Sequence, residues 1–179
     1  ASDADYETNQ SISFTVVASD GVNDNVEQSV TLDVNNLDEV APTIGSGDAG
    51  AAVDENSGAG QVVYTATATD GADTSDGFSF SLADDSLGFS IDADTGEVTT
   101  NADFAANYED AQSQSFTSVA TDVAGNSSEK IVTVDINNLD EIAPTITSGD
   151  SAAVLESSGA DALVYRALAD DSADVSAGV

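Results

Sequence analysis

The sequence predicts an all-β protein built of tandem Greek-key antiparallel β-sandwich repeats, about seven strands to a repeat. Three observations carry that expectation: a long internal repeat, short segments of strict apolar–polar alternation, and no stretch with a sustained helical period. The repeat is the clearest. Asn35-Asn36-Leu37-Asp38-Glu39-Val40-Ala41-Pro42-Thr43-Ile44 returns 102 residues on as Asn137-Asn138-Leu139-Asp140-Glu141-Ile142-Ala143-Pro144-Thr145-Ile146. Tyr6-Glu7 returns as Tyr108-Glu109, Phe14 as Phe116, Ala18 as Ala120, Asp20 as Asp122 and Asp33 as Asp135. Ser46-Gly47-Asp48 returns as Ser148-Gly149-Asp150. One residue is then lost, and Val53, Glu55, Tyr64 and Asp70 return as Val154, Glu156, Tyr165 and Asp171. Residues 1–40 therefore read as the C-terminal half of one repeat, 41–142 as a complete repeat, and 143–179 as the N-terminal part of the next. A period this long suits self-contained domains rather than solenoid units that borrow a core from their neighbours.

Taken in order, the elements read as follows. Ile12-Ser13-Phe14-Thr15-Val16 alternates, and so do Val30, Leu32 and Val34 with Thr31 and Asp33 between them. Val62, Tyr64, Ala66 and Ala68 alternate with Thr and predict a strand with those four residues on one face. Phe78-Ser79-Phe80-Ser81-Leu82 is a further strand. Phe89-Ser90-Ile91, a turn over Asp92-Ala93-Asp94-Thr95-Gly96, and Glu97-Val98-Thr99 read as a hairpin closed by glycine. Val132, Val134 and Ile136 repeat the pattern of Val30, Leu32 and Val34. Gln114 and Ser118 stand where the first copy has Ile12 and Val16, which leaves Phe14/Phe116 and Ala18/Ala120 as the fixed core points.

Composition removes several function classes. Two Lys and Arg residues face 34 Asp and Glu, for a formal net charge of −32. Nucleic acid is excluded as a partner, since phosphate binding needs clustered Lys and Arg, and anionic membrane surfaces are disfavoured. No apolar run is long enough to span a membrane. The chain has no Cys and no His. Disulfide scaffolds, thiolate zinc sites and the usual general base are therefore missing, and no enzyme is expected. The chain starts at Ala1 without Met or signal peptide and reads as part of something longer.

The remaining acids gather at predicted strand ends. Glu55 lies in Val53-Asp54-Glu55-Asn56-Ser57, with Glu156 as its copy. Asp5-Tyr6-Glu7 returns as Asn107-Tyr108-Glu109. The linkers carry Asn36-Leu37-Asp38-Glu39 and Asn138-Leu139-Asp140-Glu141. Asp70, Asp73 and Asp122 lie in turns, with Asp20, Asp171 and Asp174 as their counterparts. Such Asp, Asn and Glu clusters supply the oxygen ligands that Ca²⁺ takes. Without a cation the same carboxylates repel one another. Asp92 and Asp94 are explained by their turn.

Together these motifs resemble a cadherin domain. The early Glu of that family is matched by Glu55 in DENSGAG. Its acidic pair around Tyr or Arg is matched by DYE at 5–7 and NYE at 107–109, and its Asp-rich turn by ATDGAD at 68–73. Asp122 in VATD matches a further turn acid, FSIDADTGEVTT at 89–100 the mid-domain hairpin, and VTVDINNLDEIAP at 132–144 the strand and linker. The linker is longer than the family's, with Leu37 or Leu139 inserted. The Ala/Thr-rich, Lys-poor composition looks most like repeats of large secreted bacterial adhesins of the RTX type.

The resemblance implies an extracellular, cell-surface module with calcium as cofactor at each junction. At the first junction it implies Glu7, Asn36 and Asp38 from one repeat facing Asp70, Asp73 and Asp122 from the next, with Asp5 and Glu39 as second choices. At the second, Glu55, Glu109, Asn138 and Asp140 face Asp171 and Asp174. The partners implied are neighbouring repeats of the same chain, and other cells or surfaces through other domains. A calcium-stiffened spacer and cell-adhesion module is the first reading. The resemblance permits homophilic adhesion, although no exposed aromatic anchor stands out in the sequence. A carbohydrate- or protein-binding sandwich is the alternative. It would need an aromatic or Arg-rich face, whereas Phe78, Phe80, Phe89 and Phe104 mostly alternate like core residues.

Overall fold

A computed structural model describes residues 4–71, 73–74, 77–84 and 88–172. Among these residues there is no helix, hence none long and apolar enough to cross a membrane. The strands in chain order are β1 (Ser11–Ala18), β2 (Val26–Asp33), β3 (Thr43–Ile44), β4 (Val53–Asp54), β5 (Val62–Thr65), β6 (Ala68–Thr69) and β7 (Phe78–Leu82). They continue as β8 (Phe89–Ile91), β9 (Glu97–Thr100), β10 (Ser113–Asp122), β11 (Ser127–Asn137), β12 (Thr145–Ile146) and β13 (Ala169–Asp170).

Strands β3–β11 make a β-sandwich. One sheet runs in the order β4-β11-β10-β7, and the other face is built from β5-β9-β8 and the short pair β3-β6. Among the described residues the strand pairings are antiparallel except β4 on β11, where Val53 lies beside Ile136, and the isolated bridge of Ala49 to Thr133 is parallel as well. Inward residues of both faces meet in one core: Phe80, Phe116, Ala120, Val132, Val134 and Ile136 from the four-stranded sheet, with Val63, Tyr64, Phe89 and Val98 opposite. Phe116 sits at its centre, edge-on to Tyr64 at 5.9 Å and tilted against Phe89 at 4.9 Å. Such ring pairs add to the burial of apolar area that drives the packing. Phe104 and Ala106, on the connection from β9 to β10, close the core beside Phe89.

One strand departs from the expected alternation. Val62 is 53% exposed while Val63, Tyr64 and Ala66 are buried. The register of β5 on β9 shifts between Val62 and Tyr64, a bulge that lets two consecutive side chains face inward. The strand then breaks before β6, where Ala66 N–H donates to the Gly96 carbonyl at 2.8 Å. Gly96 must be glycine. Its φ is +71°, and a Cβ there would lie 2.4 Å from the Ala66 carbonyl oxygen. The β8–β9 hairpin has the predicted form, and Asp92 Oδ1 accepts from Asp94 N, Thr95 N and Thr95 Oγ1 across its turn.

The two ends of the chain copy parts of this sandwich. β1 pairs with β2 from Ser11↔Asp33 to Ala18↔Val26, the register of β10 with β11 displaced by one repeat. β12–β13 copies β3–β6. Phe14 of β1 is 51% exposed, whereas Phe116 is 2% exposed. Among the described residues, no second sheet lies over the β1–β2 hairpin.

Candidate metal centre

Two groups of three carboxylates form at opposite ends of the sandwich. In each, one oxygen per residue lies within 4.8 Å of the other two. The first joins Asp38, Asp70 and Asp122. Asp38 comes from the linker after β2, Asp70 follows β6, and Asp122 ends β10. Asp122 is aimed by its turn: Oδ1 accepts from Gly125 N at 2.6 Å and Asn126 N at 2.8 Å. The Asn126 amide donates to Asp122 Oδ2 and to the Asp38 carbonyl, both at 2.9 Å, and so ties linker to turn. Burial alone would raise the Asp122 pKa, but the hydrogen bonds from Asn126 and Gly125 outweigh it and hold the carboxyl below its ordinary value.

Asp73 and Asn36 sit beside this group. Asn36 Nδ2 donates to Asp73 Oδ1 at 2.8 Å, and Glu39 N lies 3.5 Å from Asp73 Oδ2. Glu7 is exposed and is not among the three carboxylates that meet. Asp5 accepts from Thr8 N and, at 2.7 Å, from Thr8 Oγ1; the latter bond is the main reason its pKa is lowered. Its copy Asn107 caps the equivalent turn, accepting from Glu109 N at 2.9 Å. That role needs only an acceptor, which explains why an amide can replace the acid.

The second group joins Glu55, Glu109 and Glu141. Glu55 is 1% exposed. Its Oε2 accepts from Tyr108 N at 2.8 Å and its Oε1 from Leu139 N at 2.6 Å. One buried carboxylate thus holds the Tyr108 turn and the linker together. Asn56 adopts φ +58°, and its amide reaches Glu141 Oε1. Glu141 was not among the expected ligands. The signal was present, because its copy Glu39 stood as a second choice. Asp140 is exposed and caps its own linker through Ile142 N at 3.3 Å. Asp171 is half-buried past β13 and outside the group, and Asp174 lies outside the described residues.

The linker amides add a second observation. Asn36 Oδ1 and Asn138 Oδ1 are both buried and accept no hydrogen bond. A buried acceptor without a donor is costly unless something positive faces it. Carboxylates and amide oxygens, with no His or Cys, make a donor set suited to a hard cation.

Solved structures to which the chain is similar include extracellular cadherin domains. The chain aligns over 94% of its length with domains EC22–24 of mouse cadherin-23, at 25% identity and a TM-score of 0.52. It matches extracellular cadherin domains 1–4 of protocadherin gamma B7 over 81% at 20% identity and 0.51. It also matches EC1–4 of the protocadherin PcdhgB3 over 82% at 22% and 0.50. The chain spans 56%, 37% and 36% of those chains respectively. No family model and no curated protein matches it. The fold is thus that of a cadherin-like domain.

Proposed function

We propose that this chain is a calcium-binding, cadherin-like segment of an extracellular adhesin, with repeats divided at 40/41 and 142/143. It would act as a calcium-stiffened spacer and adhesion module. The observation that carries this reading is the gathering of a carboxylate triple at each end of the sandwich, together with a buried, donor-less Asn oxygen in each of the two equivalent linkers. Asp38, Asp70, Asp122 and the Asn36 oxygen would hold calcium at the first junction, with Asp73 beside them. Glu55, Glu109, Glu141 and the Asn138 oxygen would supply the upstream share of the second. Glu7, Asp140, Asp171 and Asp174 remain candidates to complete the sets. Bound calcium supplies positive charge among carboxylates that otherwise repel. Because Asp38 and Asp122 lie on separate segments, closing the gap between them fixes the linker against the sandwich. The acidic, Ala/Thr-rich composition favours a large secreted bacterial adhesin of the RTX type as the parent.

Calcium titration combined with small-angle scattering tests this reading. Calcium should raise the melting temperature and narrow the distribution of distances within the chain; identical curves in calcium and chelator would sink the reading. Asp38→Ala should weaken calcium binding, while Asp92→Ala, in the β8–β9 turn, should leave it unchanged. The reverse order would mean that other acids hold the ion.

A further inference from the structure

The β3–β11 sandwich grips a linker at each of its ends through a hydrogen bond to linker backbone. At one end Glu55 Oε1 accepts from Leu139 N at 2.6 Å. At the other the Asn126 side chain donates to the Asp38 carbonyl at 2.9 Å. The two clasps differ in chemistry. Glu55 is a carboxylate, and its oxygens keep lone pairs for a cation. Asn126 carries no charge, and both hydrogens of its amide go to acceptors, the Asp38 carbonyl and Asp122 Oδ2. Neither acceptor has a proton to give an amide oxygen, so the nitrogen must face the junction, and an amide nitrogen offers a cation no lone pair. Asn126 therefore stands beside Asp38, Asp70 and Asp122 without acting as a ligand. The residue is also pinned: its N–H donates to Asp122 Oδ1 at 2.8 Å and its carbonyl accepts from Asp122 N at 3.0 Å. Its half-buried side chain thus meets the linker from a fixed turn.

We propose that Asn126 is a positioning residue: it docks the linker on the repeat that follows before any ion binds, and so biases the first junction toward its closed arrangement. The carbonyl it holds belongs to Asp38, so closing the linker brings the Asp38 carboxylate to Asp70 and Asp122. That approach sets three carboxylates against one another, and the amide bond offsets part of their repulsion. One hydrogen bond of ordinary net strength shifts the ratio of closed to open junctions about fivefold. Calcium then meets a junction that is more often ready for it, and its apparent dissociation constant falls as the closed fraction grows. Only this last effect rests on the calcium reading; the clasp itself needs no ion.

Spin labels on the full chain test this. Ser13→Cys in β1 and Ser115→Cys in β10 are exposed positions on either side of the junction, and the chain has no other Cys to label. In chelator, Asn126→Ala should broaden the distance distribution and lower the closed-to-open ratio about fivefold. The backbone bonds of Gly125 and Asn126 to Asp122 remain in this variant, and amide exchange along β10 and β11 checks that the sandwich is folded. In saturating calcium the variant and the parent should coincide, while the apparent calcium dissociation constant of the variant rises by up to about fivefold. Asn126→Asp, which replaces the donating nitrogen by an oxygen, should open the ion-free junction at least as far. Equal distributions for Asn126→Ala and the parent in chelator would overturn the proposal. So would a broadening that persists where calcium narrows the parent, since Asn126 would then shape the turn whatever the ion does. A junction that responds to Asn126→Ala in chelator but never to calcium would defeat the calcium reading and leave the clasp standing.

Discussion

Replacing Glu55 by Ala separates the structural work of this carboxylate from its work as a ligand. The side chain is 1% exposed and accepts two backbone N–H bonds, from Tyr108 and Leu139. Hydrogen bonds to a charged acceptor contribute about 1.5–3 kcal/mol each, so their loss costs ~3–6 kcal/mol. Against this, the repulsion from Glu109 and Glu141 is relieved. Both are exposed, and at 4.8 Å in a water-like dielectric each pair returns only about 1 kcal/mol. In chelator the net destabilisation should therefore be about 1–4 kcal/mol. In calcium at a hundredfold excess over its dissociation constant, the wild type gains a further ~2.7 kcal/mol at this site that the variant forgoes. The cost of the substitution should then rise to about 4–7 kcal/mol. Near 4 °C per kcal/mol for a domain of this size, the calcium-dependent part corresponds to about 10 °C in melting temperature. Thermal and urea unfolding followed by tyrosine emission reads both numbers, since the chain has four Tyr and no Trp. An equal cost in calcium and in chelator would refute the reasoning, because Glu55 would then be only a structural clasp.

Two further outcomes follow from burial and charge. Phe116→Ala should cost about 3–5 kcal/mol in urea unfolding, while Phe14→Ala, at the same place in the half-exposed hairpin, should cost less than about 1 kcal/mol; equal costs would mean that the hairpin is covered. Asp20 accepts from the backbone N–H groups of Asn23 and Val22 and from the Asn23 amide, which together hold its pKa at about 2 against an ordinary 3.8. Its folded-state pKa is depressed, so its contribution is present above pH 3.8 and lost as pH falls through about 2. A carboxyl-carbon NMR titration of Asp20 should show that midpoint, and one near 4 would contradict the hydrogen-bonded turn.

Much of the fold was legible in the sequence because period-two alternation survives wherever a strand is long. Phe116, Val132, Val134 and Ile136 point inward as their spacing requires. The β8–β9 hairpin forms because Asp92 and Gly96 make its turn from local bonds. The acids could be placed at strand ends for the same local reason. Alternation failed at Val62, because a bulge inserts one residue in the pairing with β9, and a bulge leaves no trace in the period of its own strand.

What the sequence alone determined was the repeat, the β character and the gathering of acids at the linkers, all of which depend on neighbours a few residues away or on comparison between copies. Only the tertiary structure decided which of those acids meet. Asp140 and Glu141 are adjacent, yet Glu141 turns toward Glu55 and Glu109 while Asp140 caps its own backbone. An irregular linker has no period from which to read side-chain direction. Its facing is set by contacts from afar, here the bonds of Glu55 to Tyr108 and Leu139 and of Asn126 to Asp38. Likewise Phe14 and Phe116 are the same residue in the same local pattern. The second sheet over β10–β11 buries Phe116, while Phe14 on the hairpin stays half exposed.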